Sequence, residues 1–174
     1  MTKKFNSVLI IGMGLIGSSI SRALIENHVA NNVYGLDSDS KVIKKCQNLN
    51  ILIQGETELK NFDFQFDLVI ICTPLSTYKQ IFQSLSEFVS QPTLVTDVGS
   101  TKMSTINDFK NIKENRNMTF IPSHPIAGLE KSGPEHGFSK LFDNRYCILT
   151  PYEKNDDSIN KISEMWKSIG MKIE

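Results

Sequence analysis

Nowhere in the 174 residues does an unbroken apolar run approach the ~20 residues that a membrane-spanning helix needs. Charge of one sign is not in excess either. The 19 basic and 19 acidic side chains cancel, which leaves no electrostatic footing for nucleic acid or an anionic membrane surface. Cysteine is scarce. Cys46, Cys72 and Cys147 are odd in number and widely separated. They read as reduced thiols of a cytoplasmic protein, not as a disulfide frame or a metal site. The basic start, Met-Thr-Lys-Lys-Phe-Asn, is followed by an apolar stretch that glycines interrupt, and no processing site follows it. Internal repeats, low-complexity tracts and obvious interdomain linkers are missing too. What remains is a chain that is 40% apolar, long enough to close one real core.

Apolar, β-branched runs alternate with helical patterns. Strands are predicted at Ser7–Ile11, Asn32–Leu36, Phe66–Cys72, Thr93–Asp97, Met118–Ile121 and Arg145–Thr150. Helices are predicted at Leu15–Asn27, Ser40–Leu49, Thr77–Phe88, Met103–Ile112 and Asp156–Ile169. Such alternation predicts an α/β fold of the Rossmann type, doubly wound, with a mainly parallel sheet and helices on both faces. Residues 51–64 carry the weakest pattern, compatible with a short strand or none. Gly170 to Glu174 reads as a turn after a helix and the start of a further strand.

The run Val8-Leu9-Ile10-Ile11 is followed by Gly12-x-Gly14-x-x-Gly17 and then by a helical stripe of Ile16, Ile20, Ala23 and Leu24. Three glycines at this spacing recur by chance, so the context has to decide. A dinucleotide loop requires a strand before it, a helix after it, and an acid about 20 residues on to take the ribose hydroxyls. Asp37, at the end of Val33-Tyr34-Gly35-Leu36, stands 20 residues after Gly17. The competing reading, in which the glycines only turn the chain and Asp37 caps the next helix, explains fewer of these features together. The expected cofactor contacts are Gly12, Met13, Gly14, Leu15, Ile16 and Gly17, with Asp37 on the ribose. NAD is favoured over NADP, because Asp37 would repel a 2′-phosphate and Ser38-Asp39-Ser40 holds no arginine.

Ligands of such sheets lie at the carboxyl ends of the strands. There Cys72-Thr73-Pro74 follows the third apolar run. Thr73 and Pro74 are candidate cofactor contacts, and a plain strand-to-helix turn explains the Thr73 side chain equally well. Cys72 reads as packing. Two polar loops follow the next two strands: Thr96 to Lys102, and Pro122 to Gly133. His124, between a serine and a proline just past a strand, has the chemistry of a base near neutral pH. A structural role for a lone histidine stays open. His28 and His136 are weaker candidates, and Lys102 reads as a surface charge.

"DVGSTK" at 97–102 and "SHPIAGLEKSG" at 123–133, behind "GMGLIGSS", resemble the prephenate/arogenate dehydrogenase family of tyrosine biosynthesis. The resemblance runs over essentially the whole chain, and the His-Pro-Ile-Ala-Gly run carries most of its specificity. It implies NAD-dependent oxidative decarboxylation of prephenate or arogenate. His124 would take the proton of the ring hydroxyl, Ser100 would bond both that histidine and the substrate, and Glu130 would gate the loop. Gly99 falls in the same motif as a cofactor contact. Many relatives carry threonine where Leu129 stands, which leaves prephenate and arogenate as alternatives. The resemblance also implies a second, helical domain that forms a homodimer and adds an arginine for a substrate carboxylate. Residues 1–174 are therefore expected to be the NAD-binding domain alone, and a module that binds NAD without turnover is an alternative reading. Another NAD-dependent dehydrogenase of the β-hydroxyacid kind is a further alternative, and it leaves the His124 run unexplained.

Overall fold

A computed structural model describes residues 5–112 and 117–174; the first four residues of the basic start lie outside it. Its centre is a six-stranded parallel sheet made of β1 (Phe5–Ile11), β2 (Ala30–Leu36), β3 (Gln54–Glu56), β4 (Leu68–Ile71), β5 (Thr93–Asp97) and β6 (Met118–Ile121). The order across the sheet is β3-β2-β1-β4-β5-β6, so the strand sequence reverses between β1 and β4. Among the described residues five α-helices accompany the strands: α1 (Leu15–Glu26), α2 (Ser40–Asn48), α3 (Tyr78–Phe88), α4 (Lys102–Lys110) and α5 (Asp156–Ser168).

The central strands carry apolar residues without alternation because both faces are covered. The period-2 geometry then deals them to two cores. Val8, Ile10, Leu68 and Ile70 face one way and meet Ile20 and Leu24 of α1, Cys46 of α2 and Trp166 of α5. Leu9, Ile11, Val69 and Ile71 face the other way and meet Phe82 of α3 and Phe109 of α4. This is the doubly wound arrangement that the sequence predicts.

One element departs from expectation, and one open expectation is resolved. The run at 145–150 is a strand, but it does not join the parallel sheet. As β8 (Tyr146–Leu149) it pairs antiparallel with β7 (Ser123–Pro125) and parallel with β9 (Lys172–Ile173), forming a separate three-stranded sheet. An apolar run says that a strand exists and is silent on its partner. The weak patch at 51–64 does yield β3, three residues long. It pairs parallel with β2, and close by Tyr34, Phe62, Phe64 and Phe66 meet at centroid distances between 4.8 and 6.2 Å. Such contacts add about 0.5–1.5 kcal/mol per pair beyond burial.

The turn from β1 into α1 is fixed by two glycines. Gly12 has φ +93°, and a Cβ there would lie 2.8 Å from Thr73 Cγ2 and 2.9 Å from the Cys72 carbonyl. At Gly17 a Cβ would be driven into the Gly12 carbonyl oxygen, so α1 can approach the loop only without a side chain at that position. Gly17→Ala is expected to destabilise the protein by roughly 3 kcal/mol, because the obstacle is backbone and cannot rotate away. Urea unfolding followed by far-UV circular dichroism measures it; an unchanged midpoint would mean that α1 can slide.

Candidate active site

Every loop singled out in the sequence opens at the carboxyl edge of the parallel sheet. α1 begins there with Gly14 as its N-cap, no side chain caps it, and its first turn contains no acid. The N-termini of α2 and α5 are capped, by Asp39 accepting from the Lys41 N–H and by Asn155 accepting from the Ser158 N–H, whereas α3 and α4 lack a side-chain cap as α1 does. What sets α1 apart is the glycine loop that leads into it, and its positive end can receive an anion. A Cβ at Gly14 would meet no protein atom within 4 Å, so the space beside the first turn is open.

Asp37 lies at the end of β2 and joins this loop directly. Its Oδ2 accepts from the Met13 N–H at 2.8 Å and its Oδ1 from the Asp39 N–H at 3.0 Å. Each carboxylate oxygen keeps a lone pair for a further donor. Met13 is wholly buried and Leu15 nearly so, so these two candidates can offer a ligand only their main chain. Ile16 packs against the same core. A cleft of about 930 Å³ runs from this loop past Leu36, Asp37, Thr73 and Pro74 to Ile81 of α3. It gathers the polar candidates and an apolar wall in one space. The Thr73 hydroxyl accepts from the Thr77 hydroxyl at 2.8 Å, which pins the turn into α3. Cys72 is packed as expected, with burial pushing its thiol well above the ordinary range.

The second group of candidates is organised from below. Asp97, at the end of β5, is completely buried. It accepts from Lys102 Nζ at 2.8 and 2.7 Å, from the Gly99 N–H at 3.1 Å and from the Ser123 N–H at 3.0 Å. Lys102 is not a surface charge: its side chain is 11% exposed, and it bonds the Ser123 carbonyl as well as Asp97. The reason is physical. A carboxylate at the end of a buried strand requires a countercharge, and Lys102 opens the helix that follows. Burial pushes Asp97 up and Lys102 down, and the attraction between them opposes both shifts. Gly99 sits close over this carboxylate, where a Cβ would lie 3.0 Å from Asp97 Oδ2.

His124 follows Ser123 on β7 and is partly exposed. Among the described residues its imidazole has no hydrogen-bond partner. Burial and the nearby Lys102 charge lower its pKa from 6.5, against a smaller upward pull from Asp97. The imidazole is therefore neutral at pH 7 and able to accept a proton. Ser100 and Glu130 are exposed, and the Ser100 hydroxyl makes no hydrogen bond to His124. Leu129 is also exposed, at 47%. The structure thus unites Asp37 with the glycine loop and brings His124 near Asp97 and Lys102, and it leaves Ser100 and Glu130 exposed.

Comparison with known proteins shows the family of the chain. Residues 20–174 match the family model described as prephenate dehydrogenase, nucleotide-binding domain. The chain belongs to this family. The matched segment begins just beyond the glycine loop, which is covered by individual relatives instead. A cyclohexadienyl dehydrogenase of Zymomonas mobilis is 32% identical over 171 residues, which cover 97% of this chain and 57% of that protein. A prephenate dehydrogenase of Bacillus subtilis is 30% identical over 157 residues, 90% of this chain and 42% of that protein. The crystal structure of prephenate dehydrogenase from A. aeolicus in complex with hydroxyphenyl propionate and NAD+ superimposes with a TM-score of 0.91 at 32% identity, over 100% of this chain and 60% of that one. The chain therefore spans about half the length of the curated relatives that it matches.

The lowered affinity of His124 for a proton has a measurable sign. Its folded-state pKa lies below 6.5, so the native state loses stability as pH falls from that value through the folded pKa. An NMR titration of the imidazole is expected to give a midpoint below 6.5. A midpoint at or above 6.5 would mean that the pull of Asp97 outweighs burial and Lys102 together.

Proposed function

We propose that this chain is the NAD-binding part of a dehydrogenase that oxidatively decarboxylates prephenate or arogenate, giving 4-hydroxyphenylpyruvate or tyrosine. The observation that carries the reading is the neutral, unpartnered His124 imidazole, set by a buried ion pair at the same sheet edge as the open end of α1 and Asp37.

The residues present fit NAD. The uncapped first turn of α1, with open space beside Gly14, suits a pyrophosphate. Asp37 suits ribose hydroxyls and disfavours a 2′-phosphate, and the apolar side of the cleft, with Leu36 and Ile81, suits a base. When bound, NAD supplies the acceptor for a hydride. The chain supplies orientation and a proton acceptor. His124 holds the substrate's ring hydroxyl and takes its proton as the carbon that bears it is oxidised. The ring carboxylate leaves as carbon dioxide, aromaticity is gained, and the phenolate takes up a proton. Little acid–base machinery is needed beyond one positioned base, which contributes about 10²–10⁴-fold. Ser100, on the neighbouring loop, is assigned to hold substrate and imidazole together, and Glu130 to the movement of the 126–133 loop. Contacts of a homodimer are assigned to the protein beyond this domain.

A second reading has an observation of its own. Because the chain covers 57% of the Zymomonas relative, this piece can be a module that holds NAD and turns over only with the rest of the site. Following the reduced nicotinamide after mixing the chain with NAD and prephenate, with arogenate in parallel, separates the two readings. Turnover supports a sufficient site, and silence with NAD bound supports the module.

Two substitutions test the assignments. His124→Asn should leave NAD affinity unchanged by calorimetry and lower any turnover by at least about 10²-fold. Parallel loss of both would make His124 structural. Asp37→Ala should weaken NAD by about tenfold while narrowing the gap to NADP, and an unchanged preference between the two would sink the ribose assignment.

A further inference from the structure

Ser123 is the most constrained residue at the sheet edge, and it carries His124. Its N–H donates to Asp97 Oδ1 at 3.0 Å, and its carbonyl accepts from Lys102 Nζ. Its hydroxyl oxygen accepts from Trp166 Nε1 at 3.1 Å and lies against the Thr96 hydroxyl. Every polar group of this buried residue is occupied by a partner that is itself buried or nearly so. The carbonyl that Lys102 binds belongs to the Ser123–His124 peptide, and on the other side of that peptide the His124 N–H lies against the Cys147 thiol of β8. One ammonium group therefore reaches both the carboxylate that ends β5 and the backbone that holds the imidazole.

We propose that Lys102 is a positioning residue for His124: seated on Asp97, it grips the Ser123 carbonyl, fixes the Ser123–His124 peptide and keeps a positive charge near the imidazole. It touches neither substrate nor cofactor in this assignment. The inference deepens the reading of His124 as a base, and its test does not depend on turnover.

Three charged or titratable groups face His124 from the elements around it: Lys102 on α4, Asp97 at the end of β5, and the Cys147 thiol on β8. Burial holds the thiol up at about 12, so it stays uncharged near neutral pH. The electrostatic setting of the imidazole is then a contest between Lys102, which disfavours its protonation, and Asp97, which favours it less strongly. Removing the lysine charge should release the histidine upward. Replacing it by arginine should not, because charge and donors are both kept.

The experiment is an NMR titration of the His124 imidazole in this chain, assigned by the signal lost in His124→Asn, for wild type, Lys102→Met and Lys102→Arg. The expected result is an upward shift of the His124 midpoint in Lys102→Met and a midpoint near wild type in Lys102→Arg. Lys102→Met leaves a buried carboxylate without its countercharge, which can abolish folding. The double variant Asp97→Asn/Lys102→Met removes both charges, and there the midpoint should also lie above wild type, by less than in the single variant. A midpoint unchanged or lowered in either folded methionine variant overturns the proposal. So does a rise in Lys102→Arg equal to that in Lys102→Met, which would assign the effect to side-chain shape. If the chain proves unable to turn over any substrate, these shifts still decide the role of Lys102.

Discussion

The carboxyl edge of this domain depends on one buried carboxylate. Asp97 ends β5, faces the first turn of α4 through Lys102, and receives the main chain of β7 through the Ser123 N–H. It is where the parallel sheet, a helix and the small second sheet are joined. Its net contribution to stability is modest, since desolvating two charges offsets most of their attraction. Taking away one partner alone is a different matter, costing about 3–5 kcal/mol. Such a pair is therefore better understood as a locator than as a source of stability. It defines where β7 starts and hence where His124 stands.

The edge divides into two chemically distinct halves. Over β1, β2 and β4 lie the uncapped end of α1, the Asp37 carboxylate and the apolar side of the cleft. These features offer a ligand shape and charge and no acid or base of their own beyond the Asp37 carboxylate. Over β5 and β6 lie the ion pair and the histidine. The cysteines border both halves without reactive chemistry: Cys72 lines the cleft, and the Cys147 thiol lies against the His124 N–H. Burial raises the Cys46 and Cys147 thiols to about 11 and about 12, which keeps them protonated near neutral pH and unavailable as nucleophiles.

Much of the fold was legible in the sequence, for reasons that also explain the failures. β5 and β6 occupy the residues expected, Thr93–Asp97 and Met118–Ile121, because β-branched apolar runs bounded by polar loops admit one reading. The glycine spacing and Asp37 were equally readable, since both obey a fixed local distance along the chain. β8 was assigned to the wrong sheet because pairing is a long-range property. Lys102 was misread because charge in a sequence carries no depth. The sign that it is buried was nonetheless present: Asp97 closes an otherwise apolar strand and needs a cation within reach. The bond from Trp166 to Ser123 spans 43 residues, and no periodicity announces it.

The small second sheet has a mechanical meaning. His124 faces Ile148 across the β7–β8 ladder, and Cys147, next along β8, faces Ile173 across the β8–β9 ladder. Only one strand separates the site histidine from residues 172–173. Hydrogen-bonded ladders are stiff against sliding, because a shift of one residue would reverse every side chain. The placement of His124 is thus bounded on two sides: by the ladder through β8 to β9, and by the anchors on Ser123.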